Sequence, residues 1–170
     1  EEEEEEGTRS PGFGAIPPSG RFSALDAGGR RTCAINVEQQ IECWEDPEDP
    51  PYRPFSGTFE TVITGHEDCG IETGGDLQCT GPGSRLADTR ILDVDVGLNT
   101  TCVVTGSNGI RCEDNSGNDD SEGSDAIPAM SDSRLTSPPS GLYQSVSVGS
   151  DHACGVTTAS ELVCWGDDGD

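Results

Sequence analysis

Hydrophobic residues make up only 31% of this 170-residue chain and aromatic residues 5%, which argues against a helical bundle or a large oily core. Positive charge is scarce as well. Nine Lys plus Arg against 33 Asp plus Glu leave a net charge of -24, which repels nucleic acid and anionic membranes and attracts cations or basic surfaces. No apolar run approaches the length of a membrane span, and no signal peptide is visible. Catalytic signatures are missing too. Only two histidines occur, His66 and His152. Without a nucleophile elbow, a paired-histidine metal motif or a phosphate loop, the sequence gives an enzyme or an organic cofactor nothing to attach to. What is present instead is glycine (23 residues), proline (11) and cysteine (8), a composition that suits short strands joined by polar loops.

The cysteines fall into four pairs, Cys33/Cys43, Cys69/Cys79, Cys102/Cys112 and Cys154/Cys164, each ten positions apart. Aliphatic residues recur inside every pair: Ile35 and Ile41, Ile71 and Leu77, Val104 and Ile110, Val156 and Leu162. In a β-hairpin centred on each segment, cysteine faces cysteine and the aliphatic residues face each other on the same side of the sheet. Cross-strand disulfides and an oxidising compartment are therefore expected. Zinc is the alternative, but no C-x2-C or C-x4-C knuckle occurs. Turn residues support the hairpins at Gly74-Gly75 and at Gly106-Ser107-Asn108-Gly109. Thr158-Ala159-Ser160 fits less well, and Val37-Glu38-Gln39 least. One more strand precedes each hairpin, because Phe22, Leu25 and Gly28 recur as Phe59, Val62 and Gly65, as Ile91, Val94 and Gly97, and as Tyr143, Val146 and Gly149.

This periodicity divides the chain into an acidic, Pro/Gly-rich N-terminal arm (1–20) and a four-repeat domain (21–170) with units at 21–57, 58–90, 91–140 and 141–170. The start at Glu1 and the stop soon after a fourth hairpin lead to the expectation of a processed or excerpted piece of a secreted precursor, with more repeats beyond it.

The order Phe22-x2-Leu25-x2-Gly28-x4-Cys33-Ala34-Ile35, then Cys43-Trp44, resembles the repeat of the regulator of chromosome condensation superfamily. Tyr143-x2-Val146-x2-Gly149-x2-His152-Ala153-Cys154-Gly155-Val156, then Val163-Cys164-Trp165-Gly166-Asp167, matches it better. More narrowly, the chain is similar to cysteine-containing secreted versions of that repeat. The resemblance implies an all-β fold of antiparallel, disulfide-stapled blades arranged like a propeller. It also implies a structural hydrogen bond for His152 and blade packing for Trp44 and Trp165. Departures are Thr80 and Glu113 in place of tryptophan, and Glu45 in place of glycine. The first two units are shorter than a full four-stranded blade, and four blades fall short of the family's ring of about seven. An open arc, an unusually small propeller, or a portion completed by other residues or chains is therefore expected. The strand edges of an open arc are templates for pairing.

Candidate ion ligands are Asp114, Asp119, Asp120 and Glu122 in one loop and Asp167, Asp168 and Asp170 at the end, oxygen donors of the kind calcium prefers. A solvated loop is the plainer reading, because the spacing is not that of an EF-hand. Asn99-Thr100-Thr101 is a glycosylation sequon. Trp44 and Trp165 are candidates for a carbohydrate surface. The sequence thus points to an extracellular or cell-surface, non-catalytic structural protein, a protomer or segment of an appendage or filament that assembles with neighbouring copies. The alternative is a discrete propeller-like module that recognises a basic protein or a carbohydrate.

Overall fold

The computed structural model describes residues 18–29, 31–45, 52–81, 83, 86, 90–115 and 134–167. Most of the N-terminal arm and of the polar insertion in the third repeat lies outside them, at 1–17 and 116–133. Twelve strands follow one another in groups of three. They are β1 (Phe22–Gly28), β2 (Arg31–Asn36) and β3 (Ile41–Trp44); β4 (Phe59–Thr64), β5 (Asp68–Glu72) and β6 (Leu77–Cys79); β7 (Ile91–Val96), β8 (Thr100–Thr105) and β9 (Ile110–Asp114); β10 (Tyr143–Val148), β11 (His152–Thr157) and β12 (Leu162–Gly166). Each group forms one antiparallel sheet with its strands in chain order. In the first sheet Tyr52 adds a single bridge to Cys43, a rudiment of a fourth strand.

The registers are those the cysteine spacing demands. Cys33 lies opposite Cys43, Cys69 opposite Cys79, Cys102 opposite Cys112 and Cys154 opposite Cys164, and the aliphatic residues pair likewise, as Ile35 does with Ile41. Each of these four pairs is a disulfide. The bonds Cys33–Cys43, Cys69–Cys79, Cys102–Cys112 and Cys154–Cys164 use all eight cysteines and leave no thiolate for zinc. All four hairpin turns also share one geometry, including the two whose sequences suit it least. In each, a residue with positive φ closes the loop and donates its amide to the carbonyl three residues back: Gln39 (62°) to Asn36, Gly75 (90°) to Glu72, Asn108 (65°) to Thr105 and Ser160 (65°) to Thr157. This is the three-residue hairpin loop that ends in a left-handed residue. At Gln39, where the side chain opposes that conformation, the Asn36 side chain accepts hydrogen bonds from the Glu38 and Gln40 amides and holds the loop.

Side-chain alternation gives every blade a cysteine face and a back face. The cysteine face of one blade packs on the back face of the next. Thus Cys33, Ile35, Ile41 and Cys43 enclose Phe59 and Val62. Cys69, Ile71 and Leu77 meet Ile91, Val94 and Val96, with the half-buried Cys79 at the margin. Cys102 and Val104 meet Tyr143 and Val146, and here the half-buried Cys112 takes the marginal place. Three further devices repeat at these junctions. The carbonyl of the left-handed turn residue accepts the first amide of the next inner strand, as in Gln39 with Phe59 (2.7 Å), Gly75 with Ile91 (2.8 Å) and Asn108 with Tyr143 (2.6 Å). Asp26 accepts the Thr64 amide at 2.6 Å, and Asp95, at the equivalent position, accepts the Val148 amide at 2.6 Å. Finally, the repeat glycine lets inner strands approach closely: a Cβ at Gly65 would sit 2.8 Å from Val96 Cγ1.

The stronger contacts between sheets run from first to second, second to third and third to fourth, and none of them joins the fourth to the first. The four blades therefore form an open arc with two end faces. Leu25, on the back face of the first blade, is 70% exposed, whereas its counterparts Val62, Val94 and Val146 are 4%, 1% and 7% exposed. Leu162, on the cysteine face of the fourth blade, is also 70% exposed, against 0% for Ile41 and 5% for Leu77.

Candidate functional site

The loops that leave the inner strands converge on one end of the arc. Gly29, Arg31, Thr64, His66, Leu98 and Ser150, drawn from all four repeats, line an open cavity of about 720 Å³. Leu98 and the sequon residue Asn99 are exposed in the turn between β7 and β8, so a glycan on Asn99 would stand at the cavity rim. His66 is exposed beside the cavity, while His152 opens β11 opposite Gly166.

Beneath this rim the charged side chains serve the junctions. Arg31 holds the buried Asp68 at 2.8 Å and Glu45 at 3.2 Å, tying the first blade to the second. Glu67 is buried between the second and third blades. Its carboxylate accepts hydrogen bonds from the Gly83 amide (3.1 Å), the Thr101 hydroxyl (2.6 Å) and the Asn115 side-chain amide (2.9 Å). A Glu67→Leu substitution would leave the Gly83 amide and the Thr101 hydroxyl without this buried acceptor, and we expect it to cost about 3 kcal/mol in urea unfolding. A loss below about 1 kcal/mol would contradict this assignment.

Burial raises the carboxyl of Asp68 above its usual 3.8, partly offset by Arg31. Burial also raises Asp93, against the Val146 amide it accepts at 2.9 Å. A carboxyl raised in the folded state adds stability that is complete below its unfolded pKa and is lost as pH climbs through the folded value. The mutual repulsion of 33 acidic side chains acts in the same direction. Urea midpoints are therefore expected to rise as pH falls from neutral toward the unfolded carboxyl value of 3.8. Asp93→Asn, which keeps an acceptor for Val146, should flatten that rise and leave the neutral-pH midpoint no lower.

The ion candidates are only partly visible. Asp119, Asp120, Glu122, Asp168 and Asp170 lie outside the described residues, and neither Asp114 nor Asp167 belongs to a group of three potential ligands among the described residues. The two groups that do form, Cys33/Cys43/Asp68 and Glu67/Cys69/Cys79, each contain a disulfide whose sulfurs are already bonded to each other. Cys112, two residues before the candidate Asp114, is likewise committed to its bond with Cys102. Trp44 and Trp165 are packing residues. Trp44 is buried beside Phe22 (ring centroids 6.4 Å apart), and Trp165 stands 6.4 Å from Tyr143 and donates its indole N–H to the Leu135 carbonyl at 2.9 Å. Thr80, which replaces the tryptophan in the second repeat, accepts the Asp68 amide at 3.0 Å.

Residues 143–170 match the family model described as the regulator of chromosome condensation (RCC1) repeat. No curated protein matches the chain by sequence. Among solved structures, the CRINKLY WD40 ectodomain of the Arabidopsis thaliana receptor kinase ACR4 is similar over 90% of this chain and 56% of its own, with a TM-score of 0.64 at 16% identity. Human WBSCR16 is similar over 86% of this chain and 47% of its own, with a TM-score of 0.65 at 10% identity. Yeast RCC1 (Prp20), solved with Kap60 bound, is similar over 85% and 43%, with a TM-score of 0.58 at 14% identity. The chain thus spans about half the length of these structures, and the shared feature is the fold. Its fourth repeat matches the regulator of chromosome condensation repeat, and its sheets are arranged like the blades of a propeller in an open arc.

Proposed function

We propose that this chain is a non-catalytic, extracellular assembly protein, a protomer or segment of a surface appendage or filament whose copies join through blade surfaces. The observation that carries this reading is the pair of exposed leucines at the two ends of the arc, Leu25 on the back face of the first blade and Leu162 on the cysteine face of the fourth, at positions that are covered in the internal junctions. Four disulfides in a chain with so little core support an oxidising, extracellular setting. The similarity to a receptor-kinase ectodomain is in keeping with that setting. Protein partners suit the fold, since yeast Prp20 is described with bound Kap60 and with binding to Gsp1p and histones. A second reading, a discrete recognition module, is favoured by the cavity that all four repeats line.

Electron microscopy of the oxidised protein at neutral pH tests the choice. Ordered rings or filaments are expected. Particles no larger than a single chain would overturn the assembly reading and turn the search to ligands of the cavity.

A further inference from the structure

The exposed Leu25 of the first blade and the exposed Leu162 of the fourth mark the two halves of one interface. Each internal junction needs a cysteine face, a back face, a turn carbonyl, a strand amide and a close-approach glycine. The fourth blade carries the donor set with nothing against it: Val156, Leu162 and the Cys154–Cys164 disulfide on its cysteine face, the Ser160 carbonyl in the left-handed turn position, and Gly149 at the repeat glycine. At the preceding junction a Cβ on Gly97 would land on the Gly149 carbonyl oxygen. A Cβ on Gly149 would meet nothing nearer than its own repeat's His152, at 3.0 Å. Among the described residues no backbone amide donates to the Ser160 carbonyl. The first blade carries the receiving set: on its back face Leu25 is exposed beside Phe22, where Ala34 and Trp44 are already buried and Glu42 is paired with Arg53 at 2.6 Å, and the Phe22 amide is in the position from which Phe59, Ile91 and Tyr143 donate.

From this complementarity, which rests on the assembly reading above, we infer that the fourth blade of one copy docks on the first blade of a second copy of this chain. The junction repeats the internal stacking. The occupant is a second copy because the same chain presents the missing half, and because the cysteine face it must meet bears no charge: Ser145, Ser147, Cys154, Val156, Leu162 and Cys164. An uncharged patch on a chain of net charge -24 lets copies meet where their repulsion is least local. The contact is head to tail, so it closes into a ring or propagates, depending on its rotation. It also buries the exposed disulfide.

Two variants test this, Leu25→Asp and Leu162→Asp. Each replaces a side chain that is 70% exposed, so both are expected to keep four disulfides and the unmodified β-sheet circular dichroism. Each variant alone should remain at the mass of one chain, 17.8 kDa. An equimolar mixture should give particles of twice that mass and none larger, because the Leu25→Asp copy retains a sound fourth blade and the Leu162→Asp copy a sound first blade. If each single variant assembles like the unmodified chain, another surface carries assembly, and this inference falls while the assembly reading stands. If the mixture stays at one chain, head-to-tail pairing falls. An unmodified chain that never assembles overturns both.

Discussion

Full reduction of the four disulfides will unfold the chain at room temperature and neutral pH. Each bridge closes a loop across a sequence separation of 10, worth roughly 2 to 3 kcal/mol by loop-closure entropy. Together the four approach about 10 kcal/mol, which is of the order of the whole net stability of a typical domain. With 31% hydrophobic residues the core holds little in reserve. The order of reduction follows burial. Cys33, Cys43, Cys69 and Cys102 are fully buried inside the arc. Their neighbours Cys79 and Cys112 are half-buried, whereas Cys164 is exposed on the uncovered face of the fourth blade. Timed alkylation with mass spectrometry should therefore find Cys154–Cys164 opening first, Cys69–Cys79 and Cys102–Cys112 later and Cys33–Cys43 last, with the β-sheet signal collapsing as the inner bridges open. A native circular-dichroism spectrum retained with all eight thiols free would contradict the role given to the bridges.

The second large effect is expected at the repeat glycines, and it differs by position. Ala at Gly28 would drive a methyl group into the Thr64 carbonyl, and Ala at Gly97 into the Gly149 carbonyl. Backbone atoms cannot swing away as a side-chain end can. Each substitution should cost about 3 kcal/mol, at the upper end of ordinary overpacking. At Gly149 the nearest atoms to a Cβ are the exposed His152 ring, at 3.0 Å, and the His152 carbonyl, at 3.3 Å, and Ala there should cost less than about 1 kcal/mol in the isolated chain. Urea unfolding of the three variants checks this. Equal losses at Gly97 and Gly149 would mean that the fourth blade is not an open end.

Much of this architecture is legible in the chain. Strict ten-residue spacing with aliphatic residues at Ile35 and Ile41 and their equivalents is a direct statement of antiparallel register, and the offset triplet of Phe22, Leu25 and Gly28 marks the inner strand. Local turn propensity is less informative. Val37-Glu38-Gln39 offers no glycine, yet it takes the same turn, because the Asn36 side chain and the Phe59 amide hold it. Asp26 and Asp95 carry a readable signal, an acid four residues after Phe22 and after Ile91, but its meaning depends on a neighbouring strand amide that no single repeat reveals. Glu67 carries none. Its partners Gly83, Thr101 and Asn115 are distant in sequence, and a glutamate in a polar loop ordinarily reads as solvated. The uncovered ends are equally silent, since Leu25 and Leu162 fit the same pattern as residues that are buried. Only the three-dimensional order of the blades separates them.

The most direct test of assembly through open blade faces is sedimentation equilibrium of the oxidised, unmodified chain over a wide concentration range at low and high salt. The account predicts an average mass that exceeds 17.8 kDa, rises with concentration, and rises further with salt as screening weakens the repulsion between copies. A mass of 17.8 kDa at every concentration and salt level would contradict it.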